Sequence, residues 1–197
     1  VDIPGDPLAE LAALVRAEDS TVHATTVAAA HAACSAVLSR ADAISVISGA
    51  QRFSTLGQLG LMGRTLRSET SPVVEVIPIT GNFGIRRSTA RRHANTERAT
   101  VALAGAFNPW FNDRAVCAAL DVALARRPGL QVVVTGGGIA GFYEAGFERF
   151  TRWAHRHPER VTIHGWLPHE EMARALTNAD IGMTMDCGGP EPELGSR

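Results

Sequence analysis

The chain has 197 residues, 45% of them hydrophobic, 20% charged and 6% aromatic, and its 19 basic residues nearly balance 20 acidic ones for a formal net charge of −1. That length suffices for one large or two small domains, and the apolar fraction excludes a disordered tail. The near-zero charge leaves no electrostatic footprint for nucleic acid, no apolar run approaches the ~20 residues of a membrane span, and no basic-then-apolar stretch opens the chain.

Three scattered cysteines, Cys34, Cys117 and Cys187, form no CxxC pair. They are expected to be free thiols of a reducing compartment, which makes a cytoplasmic α/β protein the working class. All the basic residues are arginines, so any role that a lysine would fill falls to arginine.

In chain order, Val1–Asp6 reads as the end of a buried strand entering a loop. Asp6 caps a predicted helix with Pro7 in its first turn and a stripe of Leu8, Leu11, Ala12 and Val15. An alanine-rich helix is expected from Thr21 to Leu38, a strand from Ala43 to Ser48, a helix from Gln51 to Leu61 and a strand from Val73 to Ile79. From Thr80 to Arg98 hydrophobicity drops and Arg86, Arg87, Arg91 and Arg92 cluster, which marks a linker.

The second half has a more regular rhythm. Strands are expected at Val101–Ala104, Gln131–Val134, Val161–Ile163 and Ile181–Met185. Between them lie a helix with the stripe Val116, Ala119, Leu120 and Ala123, one through Phe147, Phe150 and Trp153, and one with Met172 and Leu176 inward. Strands alternating with helices of this length imply a parallel sheet covered on both faces, whose ligands bind at the carboxyl ends of the strands.

Four loops therefore matter. After Ala104 comes Gly105 to Asp113, aromatic and amide-bearing, with Asn112 and Asp113 suited to cap the next helix and Trp110 to anchor packing. After Val134, the glycines 136, 137, 138 and 141 fit a G-x-G-x-x-G run, but the next strand ends in His164-Gly165-Trp166, without the acidic residue that dinucleotide binding requires. Trp166 is either a flat wall for a nucleobase or a core residue sealing the next helix. After Met185 come Asp186, Cys187, Glu191, Glu193 and Arg197 among glycines, read either as a cluster able to hydrogen-bond sugar hydroxyls and hold phosphate or as a disordered terminus. No set of ligands has zinc spacing and no nucleophile signature is present.

Taken in order, VALAGAFNPW, PGLQVVVTGGG, VTIHGWLP, ALTNADIGM and the terminal EPELGSR resemble the donor-binding half of GT-B fold glycosyltransferases, nearest to the large retaining, family 4-like group that uses nucleotide-activated sugars. ADAISVIS followed by QRFSTLGQLGLMGR resembles the last part of the acceptor-binding half. The resemblance implies Rossmann-like parallel sheets with helices on both faces and a partial GT-B architecture. Residues 1–80 would end the acceptor-side lobe, 81–98 would link, and 99–197 would form a truncated donor-binding lobe.

The resemblance further implies a donor site of Gly105, Asn108, Gly137, Gly138, Trp166, Leu167, Glu191, Glu193 and Arg197. Gly105 would lie beside the diphosphate, Trp166 and Leu167 at the nucleobase, one of the two glutamates on ribose and sugar, and Arg197 near phosphate. The loop FNPW departs from the pattern, because relatives place an arginine and a lysine there and here only Arg114 is near.

The expected activity is transfer of a sugar from a nucleotide-diphosphate sugar to an unidentified acceptor, with no cofactor and no metal. Both ends read as those of an excised piece. The catalytic residues would lie outside this chain, and the piece alone would be inactive. The alternatives are a nucleotide-sugar epimerase or hydrolase on the same scaffold and a non-catalytic nucleotide-binding module.

Overall fold

The computed structural model describes residues 1–17, 24–64, 74–78, 98–189 and 194. The chain divides into two units, Val1–Asn82 with Gly188–Arg197, and Phe83–Cys187. The proposed linker falls almost entirely outside the described residues.

In the first unit a three-stranded parallel sheet runs β1 (Asp2–Ile3), β2 (Ile44–Val46), β3 (Val74–Val76), with Asp2 opposite Ser45 and Ile44 opposite Val74. Asp6 caps α1 (Pro7–Arg16) as its sequence position predicts: Oδ1 accepts the N–H groups of Leu8 and Ala9 at 3.1 and 3.0 Å. The alanine-rich helix α2 (Ala24–Arg40) buries only Leu38, because its small side chains reach little apolar area. Ser48 caps α3 (Gly49–Leu61). The core here is Leu38, Ala41, Ile44, Val46, Leu59 and Val74. β1 is half-exposed, where the sequence suggests a buried strand.

In the second unit four parallel strands, β4 (Thr100–Ala106), β5 (Gln131–Gly137), β6 (Val161–Gly165) and β7 (Ile181–Gly182), stand in the spatial order β6-β5-β4-β7. Helices α4 (Asp113–Arg126) and α5 (Ala145–Ala154) bury Val116, Leu120, Phe150 and Trp153 against Val101, Leu103, Val132 and Val134. Phe150 is wholly enclosed, which contributes about 1.5–3 kcal/mol of burial free energy. Helix α6 (His169–Thr177) lies against β4 and β5, and Met172 and Leu176 are half-buried there. Parallel sheets flanked by helices make both units α/β and Rossmann-like.

β4 and β5 run two to three residues past the predicted strand ends. Gly105 pairs with Gly136 and Ala106 with Gly137, so two glycines of the G-x-G-x-x-G run are strand, not loop. Helix α5 begins only at Ala145. The glycines therefore do not form the tight strand-to-helix turn that cradles a pyrophosphate in dinucleotide binding.

Candidate functional site: the carboxyl edge of the second sheet

Strand β4 has β5 on one side and β7 on the other, so the strand order reverses at β4. Crevices at such switch points are where open α/β sheets take ligands. Around this point the structure gathers the loops that follow β4, β5, β6 and β7.

The loop after β4 turns back on itself where Phe111 N–H donates to the Asn108 carbonyl at 2.9 Å. It is stitched to the segment after β7. Phe111 bridges Asp186, Asn112 N–H donates to the Met185 carbonyl at 2.8 Å, and Cys187 N–H donates to the Trp110 carbonyl at 2.6 Å. The Phe107 ring locks the same loop to the core, edge-on to Phe111 and Phe147 with centroids 4.7 and 5.2 Å away. Phe107 N–H also donates to the Gly137 carbonyl at 2.9 Å.

Backbone demands explain two of the glycines. Gly105 and Gly136 both have positive φ, +110° and +98°, and a Cβ on Gly136 would run into the Gly105 carbonyl. The next turn closes where Phe142 N–H donates to the Ile139 carbonyl at 3.0 Å, with Gly141 at φ +72°. It displays Ile139 and Phe142 to solvent.

A partly buried ion pair ties the first two loops together. The Arg149 guanidinium grips Asp113 through Nε and NH2 at 2.9 and 3.0 Å and donates to the Tyr143 hydroxyl at 3.1 Å. These hydrogen bonds hold the Arg149 pKa far above its usual range against the pull of burial. Asp113, expected as a helix cap, is instead 5% exposed and paired with Arg149, while Asn112 caps α4 by accepting from Ala115 N–H at 3.0 Å. The partners lie 36 residues apart, so no local pattern in the sequence announces the pair.

Of the residues expected at the site, Gly105 is the penultimate residue of β4 and a Cβ there would meet open space, Asn108 opens the turn, Gly137 packs on the Phe147 ring and Gly138 on Glu144. Trp166 is 63% exposed, which removes the core reading, and its indole N–H donates to the Gly138 carbonyl at 3.2 Å. Leu167 follows it half-buried. The structure thus brings Gly138 and Trp166 together directly, and it sets Gly105 beside Gly136 and Ala106 beside Gly137 across one ladder. Glu191, Glu193 and Arg197 lie outside the described residues.

The Asp121–His157 pair, 3.1 Å apart, stands at the C-terminal end of α5, away from this edge. Among the described residues no group of three or more His, Cys, Asp or Glu could hold a metal ion, and no helix is long and apolar enough to cross a membrane. The edge offers close-approach main chain, an indole face and a cation already spent on a carboxylate.

No family model and no curated protein matches the sequence. Solved structures do. HepE of Anabaena, in complex with UDP and glucose, is similar with a TM-score of 0.59 and 12% identity, over 97% of this chain and 46% of that one. Sucrose-phosphate synthase from Thermosynechococcus elongatus aligns with a TM-score of 0.55 and 19% identity, over 92% and 42%. A TarM variant from S. aureus, in complex with fondaparinux, alpha-GlcNAc-glycerol and UDP, aligns with a TM-score of 0.52 and 12% identity, over 84% and 29%.

The fold matched is that of GT-B glycosyltransferases. This chain spans less than half the length of each of these proteins. The GT-B likeness takes in most of the chain, so it covers both α/β units.

Proposed function

We propose that this chain forms the donor-binding region, and part of the acceptor side, of a glycosyltransferase that moves a sugar from a nucleotide-diphosphate sugar to an acceptor. The observation that carries the reading is the strand order β6-β5-β4-β7, with Gly105, Gly136 and Gly137 near the ends of β4 and β5 beside the switch point. That two of the similar proteins hold UDP supports a nucleotide donor.

On this reading Gly105 and Asn108 approach the diphosphate through main chain and amide, Gly137 and Gly138 floor the site, and Trp166 with Leu167 meets the base. Sugar transfer breaks the bond between the anomeric carbon and the diphosphate oxygen, so negative charge grows on the leaving diphosphate. Fixed donors that meet this charge lower the barrier. No cofactor or metal is invoked, and three free thiols fit a cytoplasmic setting.

Thermal unfolding of the 197-residue chain with UDP-, GDP- and TDP-sugars tests the reading. At a hundred times the dissociation constant a true donor adds about 2.7 kcal/mol of stability. Trp166→Ala is expected to abolish most of that gain while leaving the unliganded midpoint nearly unchanged, because the side chain is exposed. No midpoint shift with any of these sugars would contradict the proposal.

A further inference from the structure

The first unit contains a cavity of about 370 Å³ that nothing in the donor reading uses. It opens at the carboxyl end of β1, between the loop leading to α1 and the facing sides of α1, α2 and α3. Its volume lies in the range of small-molecule pockets.

The charged groups that border it are already engaged. Asp6 caps α1 through Oδ1, while Oδ2 accepts from the Ser54 hydroxyl at 3.1 Å and from Gln58 Nε2 at 3.4 Å on α3. Asp2 Oδ1 accepts from the Ser45 hydroxyl at 2.7 Å, the Val1 ammonium donates to the Ala43 carbonyl at 2.7 Å, and Glu10 has a partner as well. Gln51, 1% exposed, donates to the Ile3 carbonyl at 3.1 Å and accepts from Ile47 N–H at 3.0 Å, tying β1 to the segment after β2. The same bonds fix β1, α1 and α3 around the cavity, so it is pre-formed.

Thr55 differs from these groups. It lines the cavity from α3 and is 3% exposed, yet its hydroxyl makes no hydrogen bond among the described residues, while its neighbour Ser54 does. A buried hydroxyl without a partner is costly, and a ligand oxygen that reaches it removes that cost. Around it Ile3, Leu8, Ala33, Val37 and Leu38 give an apolar wall. Apolar walls with a polar group placed to fix orientation are the composition of a small-molecule site. Such walls favour an uncharged body, because a charge brought against them loses its hydration.

We propose that this cavity binds a small uncharged molecule with an apolar body and a hydroxyl or carbonyl oxygen, which the Thr55 hydroxyl hydrogen-bonds. The site lies wholly within the first unit and stands or falls independently of donor binding in the second.

Chemical-shift titrations of the isotope-labelled 197-residue chain with benzyl alcohol, toluene, benzylamine and benzoate test it, since the four share one ring and differ in the polar group. Benzyl alcohol is expected to shift the amides of Cys34, Val37 and Thr55, and to bind about tenfold more tightly than benzylamine or benzoate. Thr55→Val keeps the side-chain shape and removes the hydroxyl. It is expected to weaken benzyl alcohol about tenfold and leave toluene unchanged, and Thr55→Ser to restore binding of the alcohol. An amine or benzoate that binds as tightly as the alcohol, or alcohol shifts that fall outside the cavity walls, overturns the proposal whether or not the variants fold. Equal weakening of alcohol and toluene in a folded Thr55→Val, or no weakening of either, overturns the part given to Thr55.

Discussion

Gly136 has the least freedom of any residue at the carboxyl edge. It combines positive φ with a Cβ position already taken by the Gly105 carbonyl. Gly136→Ala must pry β4 from β5, and is expected to cost more than about 2 kcal/mol in urea unfolding. Gly105→Ala meets open space and carries only the backbone penalty of about 1–2 kcal/mol. Equal costs at the two positions would show that the contact across the ladder contributes nothing. Trp166 poses the opposite case: local sequence left it between core and surface, and only its place beyond the end of β6 exposes it.

Arg149, Asp113 and Tyr143 act between elements, fastening the start of α4 to the loop before α5. Removing the cation alone leaves a buried carboxylate without its partner, so Arg149→Met is expected to cost about 3–5 kcal/mol, and adding Asp113→Asn to recover part of it. A double-mutant cycle on unfolding free energies checks this, and strict additivity would contradict it. On the far side of the same helices, burial pushes the Asp121 carboxyl up. Hydrogen bonds from Trp153 and His157 and the charge of Arg156 outweigh burial and leave it below its ordinary 3.8.

A carboxyl whose pKa is lower folded than unfolded stabilises the fold above the unfolded value and stops doing so as pH falls through the folded one. Asp121→Asn is therefore expected to cost under about 1 kcal/mol at neutral pH, the group being well exposed, and nothing once the pH drops below the folded value. A cost that persists in acid, seen by unfolding across pH, would assign the effect to shape instead of charge.

Elements were legible where local chemistry alone decides them. Asp6 with Pro7 set the start of α1, and the apolar runs set β2, β4 and β5. The ends of β4 and β5 were not legible, since glycines that read as loop are held in a ladder by each other. Nor was the Asp113 partner, which the fold brings from 36 residues away. Gly138 and Trp166, which the resemblance places at a donor site, are joined by a hydrogen bond that has no local signature in the sequence.

At the scale of the molecule, two α/β units repeat one physical plan: parallel strands with helices flanking them. In the second unit glycines and an indole collect at the carboxyl ends of the strands. The central claim is that the switch point of the second sheet holds the nucleotide of an activated sugar. Titrating UDP into the isotope-labelled chain and following amide and indole resonances tests it most directly. The account predicts saturable shifts at Gly105–Asn108, Gly137, Gly138 and the Trp166 indole N–H. Shifts confined to the opposite edge, around Arg127–Leu130 and His157–Arg160, would contradict it.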